Sequence, residues 1–144
     1  MTLVVDASVI VKWLLNDPER EEDTVRATRA MQWILENRVR VIQPAHWLAE
    51  VAAVLARMTP RTAEEDVLML RGLDLKVDDD PAVYGHACRL AIELQQHVFD
   101  TLYHAVALEA PDGILLTADN RYLRAGQVQG RIAALSAWER VRPS

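Results

Sequence analysis

Two short apolar runs, residues 3–5 and 114–116, constrain this chain most. Each ends next to a carboxylate region: Asp6 follows the first directly, and Asp119 lies two residues past Thr117 at the end of the second. Uninterrupted apolar runs of this length suit strands covered on both faces, as inside a parallel sheet. The stretches between them read as helices. Residues 8–15 follow the first strand, and residues 21–38 carry acids in their first turn and Arg38 at their end. Residues 38–43 read as a second strand, stopped by Pro44. Residues 45–58 form a strong helix with Leu48, Val51, Leu55 and Met58 on one face, broken by Thr59 and Pro60. Residues 62–75 pair with it as a helical hairpin, and residues 76–78 suit a short strand.

Asp80 is placed to cap a helix with Pro81 at its first position, running to about Gln95. The stretch FDTLYHAVAL, residues 99–108, is a further helix, with Phe99, Leu102, Ala105 and Val106 on one face and Asp100 at its start. Pro111, Asp112 and Gly113 form a turn before the strand at 114–117. Residues 120–126 make a short helix capped by Gly126, residues 131–135 suit a last strand, and Ser136 suits the cap of a terminal helix. Strands alternating with helices predict an α/β fold with a mainly parallel sheet. Strand order is not legible at this level.

A chain of 144 residues predicts a single domain, residues 1–144, with a core large enough to need no staples. The lone Cys88 cannot form an internal disulfide; among Ala87, Leu90 and Ala91 it reads as a buried, inert thiol. No apolar run approaches the ~20 residues that span a bilayer. The opening TLVVDA has no basic stretch before it and does not read as a signal peptide, so a cytoplasmic location is expected. The net charge of −5 argues against a protein that coats nucleic acid non-specifically. After Asp119, however, Arg121, Arg124, Arg131, Arg140 and Arg142 face one acid, Glu139. Arginine suits phosphate, and it suits surface ion pairs equally well.

Four acids stand out. In open α/β sheets, sites form beyond the carboxyl ends of the strands, where Asp6 and Asp119 would emerge together if both strands are central and parallel. Glu50 has His46, Trp47, Ala53 and Val54 as helical neighbours, a mostly apolar stripe in which a carboxylate is costly without a partner or a cation. Asp100 opens an apolar helix with no basic partner in its motif. Each has a plain structural reading: Asp6 and Asp119 as helix caps, Asp100 as a helix-start acid, Glu50 on a solvated face. Gathered together, four carboxylates would repel one another, and a hard divalent cation such as Mg²⁺ or Mn²⁺ is the simplest way to hold them.

The motifs VVDASVIVKWL, LAEVAAVL, FDTLYHAVAL and LLTADNRYL occur in that order. Together they resemble the PIN-domain nucleases, and within them the VapC-type toxins of toxin–antitoxin pairs. The resemblance runs over nearly the whole chain. It implies a Rossmann-like three-layer sandwich and a metal-dependent ribonuclease. Asp6, Glu50, Asp100 and Asp119 would hold Mg²⁺ or Mn²⁺, with Ser8 and Thr117 as supporting hydroxyls. Activated water would attack the phosphorus in line. For Ser8 and Thr117, capping or strand-end hydrogen bonding is an equal alternative. The family often has a further acid near the last motif, where this chain has Asn120. The resemblance also implies an RNA substrate, a VapB-type antitoxin and a homodimer.

Other classes fit less well. An aspartyl-phosphatase motif wants an acid two residues after Asp6, where Ser8 stands, and Lys12 and Lys76 are badly placed for a phospho-receiver. A non-catalytic PIN-like module remains as the alternative, and loss of a site acid would favour it. His46, His86, His97 and His104 show no zinc-type pairing; His46 and His104 could edge the site but read more simply as core or surface residues. Trp13, Trp33, Trp47 and Trp138 read as core or interface anchors. The hairpin at 45–73 carries more apolar side chains than one sheet face covers, so part of it should be an interface.

Overall fold

The computed structural model describes residues 1–15 and 23–140, the side chains of 138–140 excepted. Among these are five strands: β1 (Thr2–Val5), β2 (Arg40–Gln43), β3 (Lys76–Val77), β4 (Gly113–Thr117) and β5 (Ile132–Ala134). Seven α-helices accompany them: α1 (Ala7–Leu14), α2 (Thr24–Leu35), α3 (Trp47–Met58), α4 (Ala63–Arg71), α5 (Pro81–Leu94), α6 (Val98–Glu109) and α7 (Asn120–Gly126). The sheet has the order β3-β2-β1-β4-β5, and every pairing is parallel. The expected α/β class and parallel sheet are both present.

The order fixes where a site can form. The chain runs outward from β1 through β2 to β3, then returns to the other side of β1 for β4 and β5. The direction of progression therefore reverses between β1 and β4, and a crevice opens beyond the carboxyl ends of those two strands. Helices flank the sheet in three layers, with α1 packed on α2 and α3 and α5 packed on α6.

β1 is buried at all four positions and pairs with β4 from Thr2↔Gly113 to Val5↔Leu116. Its pairing with β2 stops after Leu3↔Val41; β2 then turns away and pairs with β3 at Ile42↔Lys76 and Gln43↔Val77. The gap opposite Val5 is filled by a side chain. Gln43 is fully buried; its Oε1 accepts from the Val5 N–H at 2.7 Å, and its Nε2 donates to the Val5 carbonyl at 2.8 Å.

Helix α6 is buried at every position from Thr101 to Ala107, so it is a core helix rather than an amphipathic one. The Thr101 hydroxyl donates to the Ala87 carbonyl on α5 at 2.8 Å. His104 lies in the core, with Nδ1 2.9 Å from the Tyr122 hydroxyl and Nε2 2.8 Å from the Gly130 carbonyl oxygen. The Arg131 guanidinium donates to the carbonyls of Ala107, Leu108 and Ala110 and so caps the C-terminus of α6, where a cation complements the dipole.

Several local expectations need correction. Cys88 is exposed: Val83, Ala87 and Leu90 form the buried stripe of α5, and the next position round the helix points away from it. Phe99 is 65% exposed, although Leu102, Ala105 and Val106 are buried as expected. Met58 is also exposed, one turn beyond the buried Val51 and Leu55 of α3. Gly126 is not a left-handed cap. A Cβ there would lie 3.1 Å from the His104 ring, so the glycine permits close packing of α7. Arg38 lies past the end of α2, over the Trp33 ring at 5.6 Å. Thr62 precedes α4 without a side-chain capping bond, and Ser136 lies inside a terminal 3-10 segment. The expected start of α2 at Glu21, the Trp138 side chain and the Arg140 and Arg142 side chains fall outside the described residues.

Candidate active site

Each of the four acids stands at the N-terminal end of a helix. Asp6 is the N-cap of α1, Glu50 and Asp100 lie in the first turns of α3 and α6, and Asp119 is the N-cap of α7. The capping readings are therefore correct for Asp6 and Asp119, and they do not compete with a functional one. The capping residue's position at the end of a strand carries its carboxylate into the crevice. Four helix N-termini also set positive dipole ends beneath clustered negative charge.

β1 and β4 bring Asp6 and Asp119 together. The Asp6 N–H continues the ladder to the Leu116 carbonyl at 3.0 Å. Thr117 Oγ1 donates to Asp6 Oδ2 at 3.1 Å and accepts from the Asp119 N–H at 3.0 Å, joining the two motifs through one hydroxyl. The Ser8 hydroxyl also donates to Asp6 Oδ2, and it accepts from the Ala118 N–H at 3.0 Å. All of these bonds fall on Oδ2; among the described residues none donates to Oδ1 of Asp6. Asp119 uses Oδ1 to accept from the N–H groups of Arg121 and Tyr122, at 3.0 and 3.2 Å.

Glu50 and Asp100 complete the cluster from α3 and α6. Burial pushes the Asp6 carboxyl up to about 6, and the charges of Glu50 and Asp100 add to the rise against the hydrogen bonds from Ser8 and Thr117. Burial also raises Asp100, with the charges of Glu50 and Asp119 adding to it and those of His97 and Arg121 opposing. The four carboxylates thus act on one another, and cations do stand near Asp100 that its own motif does not contain.

Sequence reasoning missed how the rim is built. His46, just before α3, packs its ring against Phe99 and Tyr103 of α6, at centroid separations of 5.5 and 4.9 Å. Its Nε2 is 2.8 Å from the Phe99 carbonyl oxygen and 3.1 Å from Glu50 Oε2. Glu50 thus shares a ring nitrogen with the Phe99 carbonyl, and the Tyr103 hydroxyl lies beside its carboxylate. Burial first, then the charges of Glu50 and Asp6, push the Tyr103 phenol above its usual range, so it stays protonated. The helical spacing His46–Glu50 and Asp100–Tyr103 was the available signal; the contact of His46 with α6 was not.

These residues suit a divalent cation. A buried carboxyl such as Asp6, among acids that raise one another, is costly to ionise unless a cation meets it. The donor set is all carboxylate oxygen, the chemistry of Mg²⁺ or Mn²⁺ rather than zinc. Among the described residues, no three His, Cys, Asp or Glu side chains form a ready-made metal cage.

The PIN-domain family model matches residues 3–128. The chain belongs to the PIN-domain family. PIN domains are in general metal-dependent nucleases that act on nucleic acid, typically with Mg²⁺. The match covers all four acidic motifs and ends before β5. No curated protein matches the chain. No helix among the described residues is long and apolar enough to cross a membrane.

Proposed function

We propose that this PIN domain is a Mg²⁺- or Mn²⁺-dependent endoribonuclease, the VapC-type toxin of a toxin–antitoxin pair, acting as one domain over residues 1–144 in the cytoplasm. The observation that carries the nuclease reading is the buried Asp6 carboxyl, held by Ser8 and Thr117 at the end of β1 and raised by the charges of Glu50 and Asp100. Asp6, Glu50, Asp100 and Asp119 would hold the cation. When bound, it supplies activated water and charge stabilisation at the leaving oxygen. Ser8 and Thr117 fix Asp6 through Oδ2. His46, just before α3, joins the Glu50 side to Phe99 and Tyr103 of α6. Asn120 opens α7 next to Asp119 and supplies no further carboxylate. All four acids are present, so nothing favours a non-catalytic module.

The toxin reading rests on the resemblance and on the hairpin. Helices α3 and α4 leave an apolar groove of about 430 Å³ lined by Ala52, Ala56, Pro60, Val67 and Leu68. A VapB-type antitoxin segment would lie there, and a basic side chain from it would neutralise the nearby acids. The chain itself would pair as a homodimer.

The test is cleavage of RNA by the purified chain with Mg²⁺, against EDTA and Asp100→Asn controls. Cleavage should depend on metal and on Asp100, and leave 5′-phosphate and 3′-hydroxyl ends. Full activity in EDTA, or 2′,3′-cyclic phosphate ends, overturns the mechanism. Co-expression with the protein encoded beside the gene tests the toxin role: failure to bind or to protect cells overturns it.

A further inference from the structure

Phe99 is the only phenylalanine in the chain, and it stands immediately before Asp100. A phenyl ring at that position of a core helix would ordinarily be buried, yet it is 65% exposed. Its position is nevertheless fixed. The His46 ring lies against it at 5.5 Å with the planes tilted by 31°, and His46 Nε2 holds the Phe99 carbonyl oxygen at 2.8 Å. An exposed aromatic ring, backed on one side and anchored through its backbone at the rim of a carboxylate cluster, has the form of a stacking surface.

We propose that Phe99 is a base-stacking platform, on which an unpaired nucleobase of single-stranded RNA lies next to the phosphate to be cleaved. This rests on the nuclease reading and narrows its substrate. A base inside a duplex is already stacked on both sides, so the platform selects single strands or splayed loops.

The charge distribution supports a base rather than a backbone contact here. The chain carries a net charge of −5, and the cluster itself is acidic. The cations acting on Asp100 are His97 and Arg121, the latter exposed at the start of α7. They suit a flanking phosphate. A π-face binds any base without needing positive charge. Stacking on Phe99 would therefore be a large share of substrate binding.

The test uses single-stranded oligoribonucleotides carrying 2-aminopurine at successive positions, titrated with the full chain in EDTA so that none is cut. Wild type should quench the probe at one position. Phe99→Ala should abolish that quench and weaken binding roughly 5- to 100-fold, while Phe99→Trp should keep both. Phe99→Leu, which retains apolar bulk without a π-face, should behave like Phe99→Ala. An abasic site at the quenched position should bind wild type no better than Phe99→Ala. With Mg²⁺, the same position should map beside the cleaved bond. Equal quench and affinity in wild type and Phe99→Ala overturn the platform, as does cleavage of duplex RNA as fast as single strands. Metal-dependent cleavage with no effect at Phe99 sinks the platform alone. A Phe99-dependent quench without any cleavage sinks the nuclease reading alone. No binding of RNA by wild type overturns both.

Discussion

Gln43 stands in for a strand beside Val5, its carboxamide taking both the N–H and the carbonyl of that residue at 2.7 and 2.8 Å. β2 has already left β1 at this level. The side chain therefore closes the sheet one residue before Asp6 while leaving room above for α3 to bring in Glu50. Replacing Gln43 by leucine leaves two backbone groups buried without partners. Each costs about 1–3 kcal/mol, so Gln43→Leu should lose about 2–6 kcal/mol. Urea unfolding should show a lower midpoint with an unchanged slope.

The Asp6 carboxyl, held near 6 by burial and by the charges of Glu50 and Asp100, sets the pH response of the metal-free protein. Its folded pKa lies above its ordinary 3.8, so the folded state holds more protons between these values. Stability in EDTA should therefore fall as pH rises from about 4 through about 6, by at most ~3 kcal/mol. Asp6→Asn should melt at a higher temperature than wild type at pH 7.5 in EDTA, and at the same temperature near pH 4. Mg²⁺ should narrow the difference at pH 7.5, although the variant is inactive.

Thr117 joins the two central motifs, so its hydroxyl should matter more than its shape. Thr117→Val removes the donor to Asp6 and the acceptor for the Asp119 N–H. The loss should be about 1–3 kcal/mol of stability. It should also move the acid limb of the pH–rate profile upward, because that hydrogen bond holds the Asp6 carboxyl down. Thr117→Ser should restore both, measured by melting and by kcat at saturating RNA and Mg²⁺.

The groove between α3 and α4 should separate inhibition from catalysis. Leu68 is 62% exposed and lines it. Leu68→Glu should leave RNA cleavage unchanged within twofold or so, since exposed substitutions away from special features change little. It should abolish suppression by the antitoxin, read as growth arrest on co-expression.

Local chemistry was legible in the residues. The apolar run of β1, the Asp80–Pro81 start of α5 and the carboxylates at strand ends each depend on neighbours within a few positions, so the one-dimensional pattern carries them. The family resemblance gathered four acids that no spacing rule could bring together.

The tertiary structure decided what depends on residues far apart. The order β3-β2-β1-β4-β5 is set by which crossovers pack on which face, and it makes β1 and β4 neighbours at the reversal. Gln43 reaches Val5 across 38 positions. His46 meets Phe99 across 53, and that contact turns an expected core phenylalanine into an exposed rim residue. Cys88 followed the same logic in a smaller way: a composition of apolar neighbours suggested burial, while the angle around α5 sent the thiol outward. Periodicity says which residues share a helix face; only packing says which face is covered, because burial is a property of two surfaces and the sequence pattern describes one.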